Sequence, residues 1–465
     1  MPSNELKRFD PGKIKASFSR IKWSHHGRVI DIIGTMIEAA LPNSKLGTIV
    51  KVDRGGHESE VIGEVVGFKK DRVLILPYNH LSGIAPGNAV YPLKTYTHVP
   101  VGHYLLGQII DPFMNSLGEE ALEVPSSVSH YDIDREPPNP LARKRINQAL
   151  SLGVRSIDSL LTFGQGQRIA IMAGSGVGKS VLMGMIAKNS AADINVIALI
   201  GERGREVREF IEKDLGPEGL ERSVIVAVTS DQSPLMRIRG AKVATSIAEY
   251  FSDQGKNVML MVDSLTRVAM AQREIGNAIG EPPTTKGYTP SVFSLLPKLL
   301  ERAGPQKNGQ GSISGLYTVL VDGDDFNDPV ADAVRSILDG HINLSRKLAA
   351  QGHFPAIEVE TSASRVMYDI VSEEHWTLSQ KAREMIAVFR DHIDLIQIGA
   401  YQPGTNPKLD EAVRIQSFLQ NFLRQKIKET CTLESAVQGL VRALSGQTYH
   451  EAKIINEAEL HEESA

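Results

Sequence analysis

The eight residues Ala173-Gly-Ser-Gly-Val-Gly-Lys-Ser180 constrain this chain more than any other feature. An apolar run at 168–172 precedes them and a helical pattern begins at Val181, so the glycines lie between a strand and a helix. In that setting successive backbone N–H groups of Ala173, Gly174, Ser175, Gly176, Val177 and Gly178 turn toward a phosphate. The helix N-terminus adds positive potential there. Lys179 can reach the β and γ oxygens of a nucleotide, and Ser180 can offer its hydroxyl to magnesium. The first position of such a loop is usually glycine. Alanine is the smallest side chain that could replace it, so the loop is expected to form.

A loop of this kind needs an acidic partner downstream. Residues 257–262 form an almost wholly apolar strand that ends in Asp263, at the sheet edge where α/β folds present ligands. Asp263 is expected to hold magnesium indirectly, although a plain strand-end cap would look the same. Glu202 follows another apolar strand, 23 residues beyond Lys179. A carboxylate so placed can orient and polarise an attacking water, and charged residues that merely open a helix fit the spacing equally well.

The rest of the chain supports an α/β core between two other textures. At 465 residues the length fits roughly three domains at about 150 residues each. Short β-branched runs at 29–33, 48–52, 61–66 and 73–76, separated by turns such as Ala85-Pro-Gly87, predict a small β-barrel. The Pro-rich stretch Glu136-Pro-Pro-Asn-Pro140 follows a second short β region. Apolar strands at 168–172, 195–200, 223–228, 258–262 and 316–321 then alternate with helical patterns and predict a parallel sheet covered on both faces. Beyond about 376 the period becomes helical, with Leu433, Ala436, Val437, Leu440 and Leu444 on one face. The expected divisions are 1–24, an N-terminal extension; 25–97, the barrel; 98–376, the α/β domain; and 377–465, a helical domain. In the first of these, Ile14, Phe18 and Ile21 share a face with lysines and arginine elsewhere on the wheel. That short amphipathic helix could dock on its own protein, on a partner or on a membrane surface.

Composition excludes several classes. With 51 Lys plus Arg against 55 Asp plus Glu, the net charge of −4 provides no general field for nucleic acid. The single cysteine, Cys431, permits neither an internal disulfide nor a cysteine-built zinc site, in keeping with a reducing cytoplasm. The histidines, His25-His26 included, show no paired ligand spacing, and the longest apolar stretches are strand-sized.

Several local motifs together resemble the ATPases of type III secretion systems. They are Leu199-Ile-Gly-Glu-Arg-Gly-Arg-Glu-Val-Arg-Glu-Phe-Ile211, Asp263-Ser-Leu-Thr-Arg267, Ala271-Gln-Arg-Glu274, Gly280-Glu-Pro-Pro283, Ile337-Leu-Asp-Gly-His341 and Ser362-Ala-Ser-Arg365. These enzymes are similar to the catalytic subunits of rotary ATP synthases, whose order of β-barrel, RecA-like domain and helical domain matches the order read above. The resemblance implies that Glu202 orients the water with Arg203 beside it. It also implies that Arg365 is an arginine finger acting on ATP bound by a neighbouring subunit, where the residue alone would read as a surface ion pair. Phe354, in Gly352-His-Phe-Pro355, falls where the family places a tyrosine against adenine, and a plain core aromatic is the alternative. Glu358 stands where an aspartate is usual.

The expected activity is magnesium-dependent ATP hydrolysis by a homo-hexamer that energises protein export. A stator or regulator protein would sit at the N-terminal extension, with export-gate membrane proteins, export substrates and chaperones as further partners. No nucleic acid is expected, and the location would be cytoplasmic, peripheral at the inner membrane face. Ser233-Pro-Leu-Met236 and Asn139-Pro-Leu141 look more like flagellar members than members from virulence injectisomes. A rival from another class is an RNA-translocating ring with the same core. It would want aromatics on the barrel, and residues 27–93 have few.

Overall fold

Alternating burial along residues 61–69 shows how the N-terminal β region folds: Val61, Gly63, Val65 and Gly67 face inward while their neighbours are more exposed. That period of two builds a closed barrel from Gly27–Ile33, Met36–Ala40, Arg72–Pro77, Val61–Lys69, Ile49–Val52 and Ala89–Leu93, in that order. Gly27 pairs with Val90 to close it. Its interior is filled by Val29, Ile37, Val50, Val52, Val61, Val65, Val73, Ile75 and Val90. The computed structural model describes residues 26–54, 60–93, 97–119, 121–307, 311–321 and 328–448. The amphipathic helix expected at the N-terminus and His25 lie outside the described residues.

Contacts divide the chain into two compact units, one ending at Thr97 and the other starting at His98. In the second unit a nine-stranded sheet runs in the order Ala363–Ser364, Gly340–Asn343, Arg168–Ala173, Ser312–Leu320, Asn257–Asp263, Ile194–Glu202, Ser223–Thr229 and Ile109–Ile110. The short Gly304–Pro305 strand adds to Ser312–Leu320 off this path. Every pairing on the path is parallel except that of the edge strand Ala363–Ser364. The apolar runs fold as strands because both faces are covered: Val196, Ile197, Ala198 and Ile200 are fully buried, as are Val258, Met259, Leu260 and Met261. His98–Val101 and Ser129–Asp132 pair separately, as a two-stranded ribbon ahead of the Pro-rich linker.

Helices Glu373–Asp391, Pro407–Leu423 and Leu433–Leu444 form the C-terminal layer. The last begins in a capping box, in which Thr432 and Ser435 satisfy each other's backbone N–H. This layer shares one hydrophobic cluster with the sheet unit: Leu419, Phe422, Leu440 and Leu444 join Ile157, Leu182 and Ile342. Polar bonds reinforce the junction. Gln425 accepts from Arg155 N at 2.8 Å, and Arg155 Nε donates to the Phe422 carbonyl at 2.9 Å.

Phe422 is fully buried at this junction. Phe422→Ala should lower unfolding stability by about 3–5 kcal/mol, the usual cost of a large aromatic cavity. Urea titration of the purified protein measures it; a loss under about 1 kcal/mol would mean that the helical layer is not anchored there.

Candidate active site

The strand Arg168–Ala173 delivers the chain to the phosphate loop with its last side chain, Ala173, buried. Ala173 ends the strand without a left-handed backbone, so the missing glycine has no conformational consequence. The left-handed positions are Gly176, at φ 78°, and Gly178, at φ 92°, where a Cβ would be strained. Val177, 2% exposed, pins the loop into the core between them. Helix Lys179–Asn189 starts at once, leaving Ser175 and Ser180 exposed.

Three strands then bring charge to one point. Lys179 Nζ donates to Asp263 Oδ1 at 2.5 Å and lies 3.5 Å from Glu202 Oε1. Asp263 closes strand Asn257–Asp263 and Glu202 closes the neighbouring strand Ile194–Glu202, so both carboxylates emerge at the C-terminal edge of the sheet. Between the Asp263 strand and the phosphate-loop strand lies Ser312–Leu320, and its Thr318 hydroxyl donates to Asp263 Oδ1 at 2.7 Å. Burial alone would lower the Lys179 ammonium's affinity for its proton, but Asp263 and Glu202 outweigh it and hold the pKa above the ordinary lysine value. Glu202 is pushed up to about 7, first by burial and then by the Asp263 charge, against the opposing pull of Lys179. A carboxylate poised near neutrality suits a proton acceptor.

Beside the loop a cavity of about 1120 Å³ is lined by Gly178, Val181, Leu182, Phe354, Arg424 and Ile427 among others. Phe354 is 47% exposed, and a Cβ on Gly178 would lie 3.7 Å from its ring. The ring therefore stands over the start of the helix as one wall of the cavity, where it can stack on a planar base.

Two expected site residues are not brought to Lys179. Arg203 is 80% exposed at its side chain and pairs with Glu206 at 3.2 Å. Arg365 is exposed at the opposite end of the sheet: its N–H donates to Asp339 O at 2.9 Å, and Asp339 N–H donates to Arg168 O, where the phosphate-loop strand begins. The whole of that strand, rising about 3.3 Å per residue, separates Arg365 from its own loop. Glu358 secures a turn, accepting from Thr361 Oγ1 at 2.8 Å and facing Arg390 at 3.7 Å.

Sequence reasoning missed Thr318 and the local role of Arg267. A hydroxyl within the apolar run 316–321 was the available signal for Thr318. A Cβ on Gly201 would lie 3.0 Å from Arg267 Cβ, so the glycine before Glu202 admits the arginine stem.

Protein-family models match three stretches: the ATP synthase alpha/beta family β-barrel domain at 29–94, its nucleotide-binding domain at 153–364, and the T3SS EscN ATPase C-terminal domain at 371–442. The flagellum-specific ATP synthase of Bacillus subtilis is 53% identical, with 90% of this chain and 95% of that one covered. The chain belongs to the type III secretion ATPases of the ATP synthase alpha/beta family. The flagellum-specific ATP synthase of Salmonella typhimurium is 46% identical over 89% of this chain and 92% of its own. The assembled ATPase EscN of enteropathogenic E. coli superposes with a TM-score of 0.85 at 46% identity, over 90% of this chain and 100% of that one. As a type III secretion ATPase, the protein is a P-loop enzyme that hydrolyses ATP.

Lys179→Ala should reduce ATP binding and turnover to near background, because it removes the cation that offsets the phosphate charge. Glu202→Gln should keep binding and lower turnover by about 10²-fold or more. Nucleotide titration and phosphate release measure the two separately; near-parental hydrolysis by either variant would reassign that role.

Proposed function

We propose that this ATPase energises flagellar type III protein export as a ring of identical subunits, with each ATP completed by two neighbours. The observation that carries the reading is the pairing of Lys179 with Asp263 and Glu202 at one end of the sheet while Arg365 sits exposed at the other. ATP would lie with its base in the cavity beside Phe354 and its phosphates on the loop 173–180. Its γ-phosphate offers Lys179 an anionic partner in exchange for Asp263. The oxygen donors Ser180 and Asp263 suit magnesium and would hold it, and magnesium when bound supplies charge neutralisation at the phosphates. Glu202 accepts the proton of the attacking water. Arg365 of one subunit reaches the phosphates held by the next, and stabilises the charge that develops there.

The relatives support the setting. EscN is described as assembled and as complexed with its central stalk EscO, and the Bacillus and Salmonella relatives are named as flagellum-specific. The flagellar reading is supported by the names of the Bacillus, Pseudomonas and Salmonella relatives rather than by degree of identity, since the Salmonella relative and EscN both stand at 46%. A hexamer is the proposed ring, with a stator or regulator at residues 1–24, and export-gate proteins, substrates and chaperones as partners. The proposed domain divisions are 25–97, 98–376 and 377–465. No helix among the described residues is long and apolar enough to cross a membrane, so the proposed place at the inner membrane face is peripheral.

Arg365→Ala and Lys179→Ala, each nearly inactive alone, should recover partial activity when mixed, because a mixed interface pairs an intact Lys179 with an intact Arg365. Phosphate release from the mixture measures it. Full activity of Arg365→Ala by itself would return that residue to a structural role.

A further inference from the structure

The stretch 424–429 lines the cavity beside the phosphate loop, and it has no helix or strand of its own to set its position. Helix Pro407–Leu423 ends just before it, and helix Leu433–Leu444 begins a few residues after. Its place is set instead by Arg155, 3% exposed, at the start of helix Arg155–Leu160. Arg155 Nε donates to the Phe422 carbonyl at 2.9 Å, Nη2 to the Arg424 carbonyl, and Nη1 to Glu429 Oε2 at 2.9 Å. These bonds fall at both ends of the lining stretch. Gln425 works from inside it: its Oε1 accepts from Arg155 N at 2.8 Å, and its Nε2 donates to the Gly153 and Glu429 carbonyls, both at 2.9 Å. Gly153 is itself fixed, because Asp158 accepts from its N–H at 3.0 Å and from that of Leu152 at 2.8 Å.

The Phe354 wall is tied to the same network. Gln425 N–H donates to the Phe354 carbonyl at 2.9 Å, so the turn that presents the ring and the 424–429 stretch are bonded to each other. Each guanidinium nitrogen of Arg155 and each end of the Gln425 amide is engaged by the protein, so both side chains act on the cavity through the stretch they hold. We propose that Arg155 and Gln425 are positioning residues for the nucleotide: they fix the 424–429 stretch relative to Phe354 and thereby set the KM for ATP rather than the chemical step. This rests on the placement of the base in that cavity, and goes beyond it by naming what holds the cavity in shape. Lys179, Asp263, Glu202 and Thr318 are bonded among themselves, so loosening the stretch leaves them in place. A contact that ground state and transition state share raises KM when it is lost and leaves kcat alone.

The test is steady-state ATP hydrolysis, at one high protein concentration, by the full chain and by Arg155→Lys, Gln425→Met, the double variant and Phe354→Ala. Lysine keeps a charge for Glu429, but its single nitrogen cannot span that carboxylate and two carbonyls. Methionine keeps the length of Gln425 without its donors or acceptor. Each single variant should raise the KM for ATP by about tenfold or more, the scale on which a misplaced wall acts, with kcat within about twofold of the parent's. In the double variant the two shifts should not multiply, because both side chains hold the same stretch. A parental KM with lowered kcat, as loss of folded enzyme gives, overturns the proposal. So does a fall in kcat as large as the rise in KM, or a pair of shifts that multiply. If Arg155→Lys does not fold, the KM of Gln425→Met decides. Failure of the underlying base placement looks different: Phe354→Ala would then keep the parent's KM.

Discussion

The Lys179 ammonium, held between Asp263 and Glu202, is the interaction on which the rest of the molecule depends. Three charged groups converge in a part-buried place where any one of them alone would be costly. Each is delivered by a rigid element: Lys179 by the first turn of a helix, the carboxylates by the last residues of two adjacent parallel strands. Only a sheet covered on both faces can present its strand ends so fixedly, and the apolar interior of this one is what the long buried runs provide. Thr318, from the strand inserted between loop and Asp263, fixes the carboxylate's orientation. The two carboxylates also keep Lys179 charged and aimed toward the place a phosphate would take.

Much of this was legible in the amino-acid sequence because the controlling signals were local. The loop 173–180, the strand-end acids and the five long apolar strands each lie within a few consecutive residues. The barrel's two missed strands were not so plain. Met36-Ile-Glu-Ala-Ala40 is composed, Ile37 apart, of residues that favour helix, and its pairing with Gly27–Ile33 and Arg72–Pro77 makes it extended. In Ala89–Leu93 the proline at 92 argues against a strand, yet it sits opposite Val50 in the ladder that closes the barrel.

At the site, the part that could not be read was the part made by distant segments. The Phe354 ring reaches Gly178 across 176 positions, a contact that no local pattern could announce. Resemblance supplied the expectation for Phe354 and for Arg365, but the opposed placement of Arg365 and the phosphate loop required strand order and direction. Arg203 illustrates the reverse case, since adjacency to Glu202 in sequence turns its side chain away to the surface, where Glu206 holds it.

The short strand Arg168–Ala173 carries the phosphate loop at one end and, through Asp339, the arginine turn at the other. If Arg365 serves a neighbour's nucleotide as proposed, a subunit built this way has a donor side and an acceptor side, and the two are different surfaces. Contact between copies is then head-to-tail rather than two-fold. A pair completes only one of its two sites, and any open row wastes the sites at its end. Closure alone lets every subunit give and receive, so polarity in a single strand favours assembly that ends by meeting itself.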